Sequence, residues 1–167
     1  MNNERIAIIS DIHSNLPALM SALNVIKQKK IDQIIIQGDI LTYGCNPNEV
    51  IEELKKISQI IKTNFIIGNH DRYYFKDNKE DHQITNEIEK QFISESINWT
   101  KKNLNYDLES FFDWKYNISF DKIFIAHANC YKKNDWKSIN NDIEVIKVAN
   151  ELRLKNFNVG IFGHVHR

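Results

Sequence analysis

The chain has 167 residues, a length that favours one domain over residues 1–167 with a core of its own. It contains 22 basic and 22 acidic residues, and the net charge of zero argues against a dedicated nucleic-acid binder. No signal-peptide pattern opens the sequence, and no apolar run approaches the roughly 18 residues of a membrane span. The two cysteines, Cys45 and Cys130, are typical of reduced thiols, so we expect a cytoplasmic protein with no membrane partner.

The first half of the chain alternates short β-branched runs with amphipathic stretches. This βαβαβ order predicts a parallel sheet with right-handed crossovers. Open α/β sheets bind ligands outside the carboxyl ends of their strands, so the chemistry is expected there. The predicted strands are residues 5–10, 33–37 and 64–67. The second predicted helix covers residues 48–57. The first is recognised by apolar residues at helical spacing, which are Leu16, Leu19, Met20, Leu23 and Ile26.

The second half opens with a charged loop over residues 73–83 and continues with two predicted helices and two predicted strands. The strands are residues 122–126 and 158–162. The helix at 85–104 is expected to make its apolar contacts through Ile88, Phe92, Ile97 and Trp99. The helix at 140–156 is expected to turn Ile143, Ile146, Ala149 and Leu152 inward.

Histidines and carboxylates are concentrated at the ends of these predicted strands. Five of the six histidines follow a predicted strand directly, and only His82 lies in a loop without that context. Imidazole and carboxylate together suit borderline divalent metals such as Mn, Fe, Co, Ni or Zn. The residues expected at this edge are Asp11, His13, Asp39, Asn69, His70, Asp71, His127, His164 and His166.

The spacing of these residues indicates a shared metal cluster. Asp11 and His13, like His164 and His166, are separated by one residue, and in extended chain such a pair points to one side. Asp39 could bridge two metals, with one carboxylate oxygen on each. Two metals roughly 3.5–4 Å apart can activate a water, orient a phosphate and neutralise transition-state charge. A single histidine after a strand is more often structural than a ligand, but five such elements in this order are hard to attribute to chance.

The order Asp11-x-His13, Gly38-Asp39, Gly68-Asn69-His70-Asp71, His127 and Gly163-His164-x-His166 resembles the calcineurin-like metallophosphoesterase family. The stretch from Tyr43 to Val50 resembles one bacterial branch of small phosphoesterases. The resemblance implies a four-layer α/β/β/α sandwich of two mixed sheets. It also implies hydrolysis of a phosphodiester or phosphomonoester by a metal-bridging hydroxide.

The resemblance implies a role for each residue of the pattern. Two divalent ions are implied, with Mn preferred and Fe, Zn, Co or Ni as alternatives. His70 would act as general acid for the leaving oxygen or stabilise the transferred phosphoryl group, and Asp71 would orient or charge His70. The ligands would be Asp11, His13 and His166 for the first metal, Asn69, His127 and His164 for the second, and Asp39 for both.

Some features leave alternatives open. Relatives continue past the Gly-His-x-His element with strands that complete the second sheet, whereas this sequence stops at Arg167. We therefore expect either a fragment of a longer protein or a partner chain, or self-association, that supplies those strands. The second reading of the function is a catalytically weak or inactive binding scaffold on the same fold. Tyr43 and Asn46 could line the substrate pocket or serve only as turn residues, and Arg72 could clamp a phosphate or form a surface ion pair.

Overall fold

The computed structural model describes residues 4–76 and 87–166. His82 and most of the predicted charged loop lie outside the described residues. The predicted βαβαβ order of the first half is confirmed. Its elements are β1 (Ile6–Ile9), α1 (Leu16–Lys29), β2 (Gln33–Ile36), α2 (Pro47–Ser58) and β3 (Lys62–Ile66).

The first sheet is parallel throughout its four described strands, in the order β1-β2-β3-β4. Ile6 lies opposite Gln33, and Gln33 lies opposite Lys62, so the three long strands end at the same level. The sequence analysis missed the edge strand β4 (Trp114–Lys115), which pairs Trp114 with Phe65. Two residues are too short to show a periodic pattern, so no local signal marks this strand.

The second sheet has the order β5-β6-β7 and is mixed, as expected. A hairpin joins β5 (Asn117–Phe120), which the sequence analysis also missed, to β6 (Ile123–Ala126), and β7 (Val159–Ile161) lies parallel to β6. Among the described residues there are six helices and seven strands. The remaining helices are α3 (Asn69–Arg72), α4 (Glu87–Asn103), α5 (Leu108–Phe111) and α6 (Asp142–Leu154).

Three hydrophobic clusters divide the molecule into the expected four layers. One cluster packs α1 and α2 on the first sheet, through residues such as Leu19, Ile34 and Ile51. A second lies between the two sheets and contains Ile35, Ile66 and Ile125, with Ile35 fully buried. The third packs α6 against the second sheet. Its members are Phe124, Ala126, Cys130, Val148 and Leu152. The α/β/β/α order of the layers follows directly from these contacts.

The predicted inward face of α6 is wrong in part. Leu152 is buried as expected and Ala149 is half-buried, but Ile143 and Ile146 are 65% and 61% exposed. Val148 takes the central buried position instead. Glu144 is also buried, and its carboxylate pairs with two lysines. The helix therefore turns its Glu144–Val148–Leu152 side inward, which leaves the isoleucines on the outside.

The predicted contacts of α4 are also corrected. Ile97 is buried, but Ile88, Phe92 and Trp99 are 81%, 62% and 45% exposed. The buried face carries Ile93, Ile97 and Thr100.

Among the described residues, no helix has the length and apolar character needed to cross a membrane.

Candidate metal centre

The ends of five strands, three in the first sheet and two in the second, bring the nine predicted site residues to one edge of the molecule. Asp11 and His13 follow β1, Asp39 follows β2, and α3 begins with Asn69 directly after β3. From the second sheet, His127 follows β6, while His164 and His166 follow β7. Because the sheets face each other, their strand ends form one cleft.

The first group of side chains contains Asp11, His13 and His166, whose ligand atoms all lie within 4.8 Å of one another. The Nε2 atoms of His13 and His166 are 3.2 Å apart, and His166 Nε2 is 3.2 Å from Asp11 Oδ1. Two ring nitrogens and a carboxylate oxygen thus converge on one point. These are the residues that the resemblance assigns to the first metal.

The second group contains Asp39, His127 and His164, again within 4.8 Å. His127 Nε2 lies 3.2 Å from Asp39 Oδ2 and 3.1 Å from Asn69 Oδ1. The amide oxygen of Asn69 therefore faces the same point as the histidine nitrogen. These are the residues that the resemblance assigns to the second metal.

A single oxygen of Asp39 faces both groups. Its Oδ2 atom is 3.2 Å from His127 Nε2 and 3.8 Å from His13 Nε2. The other oxygen, Oδ1, accepts a hydrogen bond of 2.9 Å from the His70 backbone N–H. Oδ2 therefore lies between the two groups, and the expected binding of one metal by each carboxylate oxygen stays a prediction.

Backbone carbonyls fix the orientation of two histidine rings. His13 Nδ1 lies 3.0 Å from the Leu41 carbonyl oxygen, and His127 Nδ1 lies 2.8 Å from that of Gln37. Each Nδ1 must donate its proton to a carbonyl, so the lone pair of a neutral ring lies on Nε2, which faces the group. Metal-ligating histidines characteristically make this contact through the ring nitrogen that does not bind the metal.

The charge on each carboxylate and imidazole of the two groups depends on the charges of its neighbours. Burial opposes ionisation of Asp39, but the His127, His70 and His13 rings outweigh it and hold the pKa of Asp39 below its ordinary value. Burial also opposes a charge on His127, yet the Asp39 carboxylate raises the pKa of His127 to about 9. Burial lowers the pKa of His13 and of His164. The buried Asp39 carboxylate is therefore ionised, and it is balanced by the positive charge that it favours on His127.

The backbone is strained at the edge of the molecule that carries these residues, which we call the rim. A left-handed φ costs a residue other than glycine free energy, although Asp, Asn and His tolerate it better than most. Such strain persists where the surrounding structure holds it in place, and it clusters at functional sites. Five of the seven predicted metal ligands have left-handed φ values: Asp11 (55°), His13 (47°), Asp39 (54°), His164 (70°) and His166 (52°).

Asp71 does not contact the His70 ring. Its carboxylate accepts hydrogen bonds from the backbone N–H groups of Asp39, Ile40 and Gly68, at 2.9, 2.9 and 2.8 Å. The expected orientation of His70 by Asp71 is thus not formed, and Asp71 instead joins the turn after β2 to the turn after β3. Burial and the neighbouring Asp39 carboxylate raise the pKa of Asp71 to about 7, while the three N–H donors favour its ionised form.

His70 lies in the cleft beside the two groups. Its Nε2 atom is 3.3 Å from the Tyr43 hydroxyl, and its buried Nδ1 atom has no hydrogen-bond partner within residues 4–76 and 87–166. Burial lowers the pKa of His70 to about 4. The ring is therefore neutral at pH 7 and carries one N–H donor.

Asp71→Ala should lower the free energy of unfolding by about 3–5 kcal/mol, because it leaves three buried N–H groups without an acceptor. Urea unfolding followed by circular dichroism would measure this loss. Asp32→Ala is a suitable control, because Asp32 is half-exposed and pairs with Arg5 far from the rim; it should change stability much less. A loss below about 1 kcal/mol for Asp71→Ala would show that the amides find other partners.

A cleft of about 930 Å³ opens over both groups. Tyr43, Tyr73 and Ile93 line one part of it, and Trp136 and Lys137 line another. The sequence analysis assigned none of residues 134–141 to the site, since they carry no metal-ligand pattern. Tyr43 thus lines the cleft, whereas Asn46 and Arg72 are not among its lining residues. Asn46 instead precedes α2, and the Arg72 guanidinium lies 5.7 Å from the Phe75 ring centre.

The model of the calcineurin-like phosphoesterase family matches residues 4–167. The chain therefore belongs to this family, and the resemblance seen in its motifs is confirmed. It is 36% identical over 142 residues to an uncharacterized protein of Methanocaldococcus jannaschii, a match that covers 82% of this chain and 54% of the relative.

Solved structures share the fold. A metallophosphoesterase from Sphaerobacter thermophilus matches with a TM-score of 0.70 and 25% identity, over 99% of this chain and 62% of that one. A hypothetical protein from Pyrococcus horikoshii OT3 matches with a TM-score of 0.73 and 19% identity, over 94% of this chain and 68% of that one. The chain thus spans about half the length of the Methanocaldococcus relative and less than two thirds of the Sphaerobacter structure.

Proposed function

We propose that the protein hydrolyses a phosphate ester at a site for two divalent metal ions. The observation that carries the proposal is the pairing of two ligand groups, each of at least three side chains, around the single oxygen Asp39 Oδ2. Membership of the calcineurin-like phosphoesterase family supports the same class of reaction.

The residues fit a pair of borderline metals. Imidazole nitrogens and carboxylate or amide oxygens form both groups, a donor set suited to Mn, Fe, Co, Ni or Zn, of which we propose Mn. The carbonyls behind His13 and His127 hold their Nε2 atoms toward the groups. Asp11, His13 and His166 would hold one ion, Asn69, His127 and His164 the other, and Asp39 both. Bound there, the ions would supply Lewis acidity toward a water and a phosphoryl oxygen.

His70 is proposed to act on the substrate directly. The backbone N–H of His70 donates to Asp39 Oδ1, which places the ring beside the two ligand groups. The ring itself belongs to neither group. Its neutral N–H could donate a hydrogen bond to the leaving oxygen or to the transferred phosphoryl group. In place of the expected orientation by Asp71, the ring contacts the Tyr43 hydroxyl.

The cleft supports a small phosphate ester rather than nucleic acid as the substrate. Lys137 is the one lysine or arginine among the described residues that line the cleft, and it pairs with Glu144 at 3.1 Å. A polyanion would require a broader basic surface.

We further propose a cytoplasmic location, which the free thiols of Cys45 and Cys130 support. Further strands, from a longer chain or from a partner, would add at an edge of the second sheet.

The proposal is tested by hydrolysis of p-nitrophenyl phosphate and bis-p-nitrophenyl phosphate with metal-stripped protein, with and without added Mn²⁺. Turnover that depends on Mn²⁺ would support it, and the preferred ester would separate monoesterase from diesterase. Equal rates with and without the metal would overturn the metal mechanism. Binding of Mn²⁺ without turnover would favour the binding scaffold instead.

A further inference from the structure

Gln37 bridges the two sheets directly beneath the metal groups. It follows β2, is 2% exposed, and its side-chain Nε2 donates hydrogen bonds of 2.7 Å to the carbonyl oxygens of both Ala126 and Ile161. Ala126 is the last residue of β6, and Ile161 is the last residue of β7. One amide group of the first sheet thus holds the ends of two strands of the second.

The main chain of Gln37 adds two more contacts. Its carbonyl oxygen accepts a 2.8 Å hydrogen bond from His127 Nδ1, and its N–H donates to the Ile9 carbonyl at 2.7 Å. The next residue is Gly38, where an added Cβ would lie 2.8 Å from His127 Nδ1. The first sheet and the His127 ring are therefore so close here that no side chain fits between them at position 38.

The placement of the two sheets decides whether the ligand groups can form. The first group combines Asp11 and His13 of the first sheet with His166 of the second. The second group combines Asp39 of the first sheet with His127 and His164 of the second. A small slip between the sheets would therefore separate ligands in both groups at once. The inter-sheet cluster around Ile35, Ile66 and Ile125 is apolar, and the hydrophobic effect that holds it together has no preferred direction.

We propose that Gln37 is a positioning residue that fixes the two halves of the metal site against each other. The inference rests on the proposed metal function. An apolar residue would fill the space, but it would leave the Ala126 and Ile161 carbonyls without these donors. Because hydrogen bonds are directional, the Gln37 amide sets a distance and an angle between the sheets that packing alone does not set.

The test compares Gln37→Met with Gln33→Met. Gln33 begins β2, is 1% exposed and lies on the same side of the strand as Ile35 and Gln37, but at the end away from the site. Gln37→Met keeps the main-chain carbonyl that accepts from His127 but loses both side-chain contacts to the second sheet, and it should weaken Mn²⁺ binding about 10–100-fold in calorimetry, the range found when a group that orients metal ligands is removed. Its electron paramagnetic resonance spectrum should change from that of a coupled Mn²⁺ pair to that of isolated ions. Gln33→Met should retain both the affinity and the coupled spectrum.

Unchanged Mn²⁺ affinity and coupling in Gln37→Met would overturn the inference, as would an equal loss in Gln33→Met. If Gln37→Met does not fold, Gln37→Asn, which withdraws the amide by one methylene, decides by the same readouts. If the unmodified protein binds no Mn²⁺ pair, the proposed function fails, and the metal-free protein tests Gln37 alone. Gln37→Met, but not Gln33→Met, should then move the ring N–H resonance of His127, and an unmoved resonance would count against the inference.

Discussion

Asp39→Asn should bind at most one Mn²⁺ tightly and should lose Mn²⁺-dependent phosphate-ester hydrolysis to below detection. Oδ2 of Asp39 lies between the two ligand groups, 3.2 Å from His127 Nε2 and 3.8 Å from His13 Nε2. The amide would remove the one negative charge shared by both groups. It would still accept the hydrogen bond from the His70 N–H, so the turn after β2 should keep its shape.

The loss of affinity for the second ion should exceed the roughly 10–100-fold expected for a contact behind a ligand. Calorimetry and the coupled Mn²⁺ spectrum would measure pairing, and p-nitrophenyl esters would measure turnover. Asp32→Asn provides the control, since this half-exposed residue before β2 contacts Arg5 away from the site. A variant at position 39 that retains the coupled pair and its turnover would rule out Asp39 as the bridge.

The first half of the fold was predictable because its signals are local. The run from Ile34 to Ile36 is fully buried in the structure, as an uninterrupted β-branched segment before Gly38-Asp39 indicates. In α2, Val50, Ile51 and Leu54 are fully buried, as their helical spacing predicts. The strand β2 is buried on both faces and α2 has one apolar face, so the local pattern of each element agrees with its place in the fold.

The faces of α4 and α6 were not predictable in the same way. α4 carries two apolar stripes, one with Ile93 and Ile97 and another with Phe92 and Trp99. Spacing alone cannot choose between them, because either stripe satisfies a helical period. In α6, the buried residues missed from sequence are Val148 and Glu144, and a pattern of apolar residues excludes Glu144 by definition. Tertiary packing made the choice in both helices, and in α6 the ion pairs of Glu144 with two lysines contributed to it.

The composition of the site was predictable, but its supporting contacts were not. Histidines and carboxylates after successive parallel strands must meet at one edge, so the two groups follow from topology. The roles of Asp71 and Gln37 depend on hydrogen bonds to backbone groups far away in sequence, which no side-chain spacing reports. The orientation of the Asp39 carboxylate depends in the same way on the His70 N–H, which donates to its Oδ1 atom.

His70→Ala should retain Mn²⁺ binding and lower the turnover rate by about 10²–10⁴-fold, the usual range for a positioned proton donor. The ring lies outside both ligand groups, and the backbone N–H that contacts Asp39 remains after the substitution. Metal affinity should therefore stay near that of the unmodified protein. His82→Ala replaces a histidine to which no role is assigned and serves as the control for the loss of an imidazole.

A series of aryl and alkyl phosphate esters would distinguish the two proposed actions of His70. If the ring, protonated beside the bound phosphate anion, donates its proton to the leaving oxygen, the loss in His70→Ala should grow with the pKa of the leaving alcohol, since nitrophenolate needs little protonation and an alkoxide needs much. If the ring stabilises the phosphoryl group, the loss should be similar for all esters. Tyr43→Phe, which removes the 3.3 Å contact to His70 Nε2 but keeps the aromatic ring, should follow the same dependence with a smaller loss. Full turnover by His70→Ala on every ester would exclude both actions and would leave the metal groups as the whole of the catalytic machinery.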